Sequence, residues 1–289
     1  MPTPHNPPPD FPAPWASVWG EDAIGYWMAF TYKGVRQLFR WIAPGTFTMG
    51  SPPNEAERYS DETPHTVTLS VGYWLADTTV TQALWVAVME ANPSHFQGDD
   101  KPVDTVSWHD AQAFIAKLNG LNPALALCLP SEAQWEYACR AGTVTPFAFG
   151  EQIDASLVNF DGNYPYNNGK KSAYREQTVA VKSLPPNAWG LYEMHGNVWE
   201  WCQDVFGAYP GGAVTDPLGP ATGDSRVLRG GSWFNDGRFC RSAYRNYNTP
   251  DLAGYLRGFR LARGHQASQS SAVAAQPPTR TRAAAARGA

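Results

Sequence analysis

From about residue 143 to residue 263 the chain keeps neither helical nor strand periodicity for long. It runs instead as short apolar pieces between clusters of Gly, Pro and Asn. Connections of that length are uncommon in a compact domain unless they carry function, and something other than regular elements must hold them. Composition supplies the means: 26 Gly and 25 Pro shape turns, and 12 Trp can fill a core between loops. With 289 residues, 43% of them hydrophobic and only 17% charged, a substantial core is affordable and a helical bundle is disfavoured.

The first 142 residues are more regular. Alternating runs at 26–32 and 35–42 flank Lys33-Gly34, a hairpin signal, and "HTVTLSVGYWLADTTVT" supplies a further strand pattern. Three helices are predicted. "TQALWVAVMEA" starts near Thr81. "SWHDAQAFIAKLNG" has Ser107 as N-cap, Asp110 at the third helical position and Gly120 as its stop. Ala111, Phe114, Ile115 and Leu118 share one face of it. "PSEAQWEYACRAG" has Ser131 and Gln134 as a capping box and Gly142 as its end.

The expected plan is a Pro-rich extension with the first strand over 1–38, one domain over 39–263 and a tail over 264–289. The tail has no aromatic or acidic residue and no periodicity, which predicts disorder. A formal charge of −4 gives no electrostatic reason for a nucleic-acid partner. No run of roughly 18 apolar residues would insert in a bilayer. "MPTPHNPPPDFPAP" lacks the basic and apolar regions of a secretory signal. The default expectation is a cytoplasmic monomer, with surface display through a partner left open. Cys128, Cys139, Cys202 and Cys240 show no metal-ligand pairing and read as free buried thiols.

Four blocks carry a resemblance: "GTFTMGS" at 45–51, "LPSEAQWEYACRAG" at 129–142, "NAWGLYEMHGNVWEWCQD" at 187–204, and "RVLRGGSW" through "GFRLAR" at 226–263. In this order they resemble the formylglycine-generating-enzyme (sulfatase-modifying factor) family over roughly 40–263. The resemblance implies an α+β fold, the C-type-lectin-like variant of that family, loop-rich with short twisted antiparallel sheets and a few packed helices. It also implies structural calcium. One set is Asn197, the Gly196 or Val198 carbonyl, and Glu200; the other is Asn159, the Phe160 carbonyl and Glu176. Hard cations take several oxygens, and a loop-rich fold gains rigidity from them. A second reading of "GNVWEW" stays open, with Asn197 and Glu200 merely hydrogen-bonded. In it Trp199 and Trp201 face opposite sides, one entering the core and the other closing a loop.

Enzymes of the family oxidise a substrate cysteine to formylglycine with copper(I) held by two thiolates. Soft two-sulfur coordination is why both ligands must be cysteine. In this sequence Asn235 stands at the first of those positions and only Cys240 lies near the second. A hard amide oxygen is a poor substitute for thiolate, so no catalytic residue and no catalytic cofactor is assigned. A copper-dependent or otherwise divergent enzyme is the alternative reading. Iron-dependent carbon–sulfur bond formation, used by a related branch, needs a histidine cluster. His5, His65, His95, His109, His195 and His265 are scattered.

The stretch "RGGSWFNDGRFCRSAYRNYNTPDLAGYLRGFRLAR" at 229–263 also resembles the variable proteins of diversity-generating retroelements, in which a reverse transcriptase rewrites template adenines. Against their Asn-rich repeats, Arg229, Gly230, Gly231, Ser232, Trp233, Cys240, Arg241, Ser242, Arg245, Gly258, Phe259 and Arg260 match framework. Phe234, Asp236, Phe239, Tyr244, Tyr247, Leu252, Ala253, Gly254, Tyr255 and Leu256 stand at rewritten positions. Each has a codon reachable from AAC by changing adenines alone, and Asn235, Asn246 and Asn248 correspond to AAC itself. Tyr and Phe offer large rigid contact area at little entropic cost, whereas Gly, Asn and Asp adapt their hydrogen bonds, as in antibody paratopes. The expectation is a contact face for an unknown protein or cell-surface ligand, built from 233–239, 244–248 and 252–257. Arg229, Arg241, Arg245 and Arg260 would brace it through carboxylates and carbonyls.

Overall fold

The structure is a computed structural model and describes residues 7–264. Lys33 and Gly34 both take positive φ (45° and 83°), the conformation that a two-residue turn needs to match strand twist. The turn joins β2 (Gly25–Tyr32) to β3 (Val35–Ile42), and β1 (Val18–Asp22) pairs with the outer side of β2. Two further strands, β4 (Gly45–Met49) and β5 (His65–Leu69), form an antiparallel pair. The next, β6 (Tyr73–Ala76), returns to β3.

Helices follow where side chains can cap their first turns. Thr81 accepts from the Leu84 amide at the start of α1 (Gln82–Met89). Reciprocal capping boxes open α2 (Trp108–Leu121), through Ser107 and Asp110, and α3 (Glu132–Arg140), through Ser131 and Gln134. Two predicted ends move. Gly120 lies inside α2, which ends at Asn122 because Pro123 disfavours the helical conformation before it. Ala141, rather than Gly142, takes the left-handed C-cap of α3.

Seven short strands complete the described residues: β7 (Leu127–Cys128), β8 (Trp199–Val205), β9 (Val214–Thr215), β10 (Arg226–Arg229), β11 (Asn246–Asn248), β12 (Arg257–Gly258) and β13 (Ala262–Gly264). The largest sheet has the order β1-β2-β3-β6-β13-β7, so the last described strand slots between two much earlier ones. A second sheet runs β11-β10-β8-β12 and a third β4-β5-β9. The expected boundary at 38/39 falls inside β3, and residues 18–38 belong to the main sheet rather than to an extension. The tail expected from 264 lies outside the described residues except for Gly264, which ends β13.

Trp199 and Trp201 share one core with Trp108, Phe114 and Phe259. The expectation of opposite faces is overturned, because strand residues two apart point to the same side. The Trp201 and Trp108 indole N–H groups donate to the Val106 and Cys202 carbonyls. All four cysteines are free, with Cys128 half-buried and the others buried. No helix among the described residues is long and apolar enough to cross a membrane.

Candidate binding surface

The segment after β10 has little hydrogen-bonded regular structure, so its loops are fixed by buried guanidinium groups. Arg229 pairs with Glu136 and donates to the carbonyls of Ser242, Ala243 and Tyr244. Arg241 grips Glu62 through both Nη atoms (2.7 Å each) and also reaches Glu55 (2.6 Å) and the Glu57 and Arg238 carbonyls. Arg245 forks onto Glu132 at 2.6 and 2.8 Å. Arg260 forks onto Glu200 (2.6 Å twice) and donates to the carbonyls of Ala76 and Tyr192. A planar five-donor fork can satisfy a carboxylate and several carbonyls at once, which an ammonium cannot. Burial alone would raise the Glu132 carboxyl, but Arg245 and Arg229 outweigh it and hold the group below its ordinary value.

Between these anchors the side chains turn outward. Arg229, Gly230, Gly231, Ser232, Trp233, Cys240, Arg241, Ser242, Arg245, Gly258, Phe259 and Arg260 are all buried. Phe234 (52% exposed), Tyr247 (51%), Tyr255 (45%), Leu252 (40%) and Ala253 are exposed. Asn235, Asp236, Asn246, Asn248 and Gly254 are half-buried. Phe239, Tyr244 and Leu256 are half-buried too, and they pack against the main core rather than standing fully in water. The 249–257 loop is held by its backbone. The Pro250 carbonyl accepts from Trp108 and His109, the Gly254 carbonyl from Thr105 and Arg257, and the Leu256 carbonyl from Trp199. Backbone bonds of this kind do not depend on which side chains the loop carries.

The expected residues do not form a single patch. Trp233, framework in the sequence, is the floor beneath Phe234 (ring centroids 5.5 Å) and Tyr255 (6.0 Å). Tyr244 contacts Trp199 (5.8 Å) and Phe239 (5.0 Å), and Leu256 lies beside Trp199 through the backbone bond above. Tyr247 stands apart: alternation along β11 turns it away from Asn246 and Asn248, and it stacks on Phe206 at 4.2 Å. Residues from distant loops enter the same surface. Tyr59 meets Tyr244 edge-on at 5.2 Å, Phe96 and Tyr174 contact Trp233, and His95 contacts Tyr255. Tyr164, 61% exposed, accepts through its carbonyl from Gly237. No local pattern marks these five, because only long-range folding brings their loops to 229–257.

The position implied for a first copper thiolate holds an amide: Asn235 Oδ1 lies 2.6 Å from the Ser232 hydroxyl. Cys240 is fully buried, and burial pushes its thiol far up. Cys139, beside His195 (3.6 Å), is likewise pushed up to about 12 by burial. His195 is held neutral, lowered to about 4 by burial, while it bridges the Ala148 amide and the Cys240 carbonyl. Among the described residues no three His, Cys, Asp or Glu side chains gather into a metal-binding group. These residues do not fit two-thiolate copper(I).

The calcium sets fare unevenly. Both Glu200 oxygens accept hydrogen bonds, from the Arg260 fork and from the Trp135 indole N–H at 2.8 Å. Glu200 is also the counter-ion of Arg260. Asn197 Oδ1 accepts from the Val179 amide and from Asn159 Nδ2. Asn159 Oδ1 is buried without a partner, the orphaned oxygen that a cation would relieve, whereas Phe160 is buried and Glu176 is exposed.

Residues 36–265 match the sulfatase-modifying factor enzyme 1-like domain. A formylglycine-generating enzyme of Streptomyces coelicolor is 39% identical over 182 residues, which are 60% of this chain and 55% of the relative. The chain spans about half the length of such curated relatives, 51% for the mouse enzyme. Among solved structures, Treponema denticola variable protein 1 is 29% identical with a TM-score of 0.71, covering 82% of this chain and 98% of that one. PvdO from Pseudomonas aeruginosa is 26% identical with a TM-score of 0.65, covering 86% and 98%. Helices, sheets and sequence blocks thus agree: the chain belongs to the sulfatase-modifying factor enzyme 1-like domain family and has its loop-rich, C-type-lectin-like fold.

Proposed function

We propose that this is a non-enzymatic ligand-binding protein whose C-terminal loop surface is diversified through reverse-transcriptase rewriting of template adenines. The carrying observation is the match between two independent divisions of 229–260. Framework positions are buried and braced, and the interspersed AAC-reachable positions are exposed or half-buried. Such a scaffold lets the face change without refolding, because arginine forks and backbone bonds do the bracing. Likeness to a variable protein over nearly the whole of that chain supports the same reading. The ligand-contacting residues are Phe234, Asn235, Asp236, Phe239, Tyr244, Asn246, Asn248, Leu252, Gly254, Tyr255 and Leu256. Tyr247 serves a second flank beside Phe206. The partner is a protein or cell-surface ligand bound by a monomer.

The test is the nucleotide sequence around the gene. A near-identical repeat downstream, differing almost only at template adenines and beside a reverse-transcriptase gene, is the expected result. Its absence from the complete genome overturns the diversification reading. A second reading, an oxidase, is favoured by the 39% identity to a formylglycine-generating enzyme. Oxygen consumption with copper(I) and a cysteine-containing sulfatase peptide should stay at background, and sustained turnover would establish the enzyme instead.

A further inference from the structure

Outside the diversified stretch but bordering it lies an open cleft of about 520 Å³ whose walls include Lys101, Arg175, Gln177, Thr178 and Ser183. It adjoins the aromatic floor of the surface. Lys101 Nζ sits 5.6 Å from the Phe96 ring, which meets Trp233 at 5.3 Å. Arg175 follows Tyr174, whose ring stacks on Trp233 at 6.1 Å.

The charges of this cleft are uncompensated. Among the described residues Lys101 donates to the neutral Gln177 Oε1 (2.9 Å), and Arg175 gives one Nη to the Ala155 carbonyl (2.6 Å). Neither forms an ion pair with a carboxylate among the described residues, although the four framework arginines all do. Among the described residues no carboxylate lines the cleft. The other Arg175 Nη and the Thr178 hydroxyl are shut off from solvent with no hydrogen-bond partner, and Thr178 is 1% exposed. Leaving such groups unpaired costs free energy, and both residues line the cleft.

We propose that this cleft is an oxyanion-binding site, taking a carboxylate or phosphoryl group between Lys101 and Arg175. The site stands on its own geometry and does not require that the neighbouring loops be diversified. Where a ligand covers the Trp233 surface, it would give that ligand a constant ionic anchor beside changeable contacts. A guanidinium and a point-charge ammonium can recognise an oxyanion together.

The experiment uses the ¹⁵N-labelled full chain, titrated separately with sodium acetate and inorganic phosphate at constant ionic strength. Amide shifts of Lys101, Gln177, Thr178 and Ala180 are followed by NMR. Saturable shifts confined to this cleft are expected with at least one anion, and the stronger of the two identifies the group preferred. Lys101→Gln and Arg175→Gln should each weaken binding roughly tenfold, the effect of losing one charge-assisted hydrogen bond, with the melting temperature unchanged. Lys101→Gln leaves the Arg175–Ala155 bond in place, so a folding defect in the arginine variant does not remove the test. Non-saturating shifts with both anions, or unaltered affinity in Lys101→Gln, would overturn the proposal.

Discussion

Arg241→Met tests whether buried arginines hold the surface loops. Arg241 is 0% exposed and ties the loop after Gly237–Cys240 to the 55–62 segment, nearly 180 residues earlier in the chain. Methionine has similar length and no charge. It would leave Glu62 (0% exposed) without its two 2.7 Å bonds and Glu55 without its 2.6 Å bond. Removing one partner of a buried ion pair costs about 3–5 kcal/mol, chiefly because the other charge stays buried and unpaired. Against a typical total of about 5–15 kcal/mol, the variant should remain folded at 25 °C with a large fraction of its stability gone. The sign of the pH dependence follows from the carboxyls. Burial already raises Glu55 even with Arg241 present, and removal of the guanidinium raises it further. A raised acid contributes stability below its unfolded value and loses it as pH rises through its folded value. The deficit relative to wild type should therefore be large at pH 7 and shrink toward pH 5. Urea unfolding followed by tryptophan fluorescence at both values measures it. A deficit under about 1 kcal/mol at pH 7, or one equal at both values, would refute the bracing argument.

Other variants probe separate links. Tyr247→Ala should cost only about 1 kcal/mol, because a ring 51% exposed loses little beyond its stacking on Phe206; a loss above about 3 kcal/mol would put it in the core. Gly231→Ala should cost about 2–4 kcal/mol, since φ is +78° and an added Cβ would come within 2.7 Å of Cys240 Sγ; a neutral change in melting temperature would contradict this. Burial, then Glu132 beside it, raises the Asp204 carboxyl to about 8, so this group's contribution is present at low pH and lost as pH rises toward 8. Asp204→Asn should remove that slope in denaturation measured from pH 6 to 8 while its side-chain oxygen still accepts from the Glu132 amide, and an unchanged slope would assign the titration elsewhere.

Whatever depended on neighbours within a few residues could be read from the chain. Ser107 with Asp110 and Ser131 with Gln134 close their boxes over three residues, and Lys33-Gly34 turns a hairpin by its own dihedral preferences. The alternation of anchor positions with positions reachable from AAC over 229–260 was also visible, because such a pattern is linear. The destination of each side chain was decided by groups far away. Glu200, which the resemblance implied as a calcium ligand, pairs with Arg260, 60 residues on. Tyr247 resembled its neighbours in composition yet leaves their patch, since β11 pairs with β10 in a register that turns it toward Phe206. Phe239 and Tyr244 sink partly inward against Tyr59, from a loop that no local pattern ties to them. Local dihedral and capping preferences act through adjacent bonds, whereas burial and charge pairing depend on which surfaces meet in space. In a fold this poor in long elements, those meetings are made by scattered arginine forks and by β13 closing into a sheet begun more than 200 residues earlier.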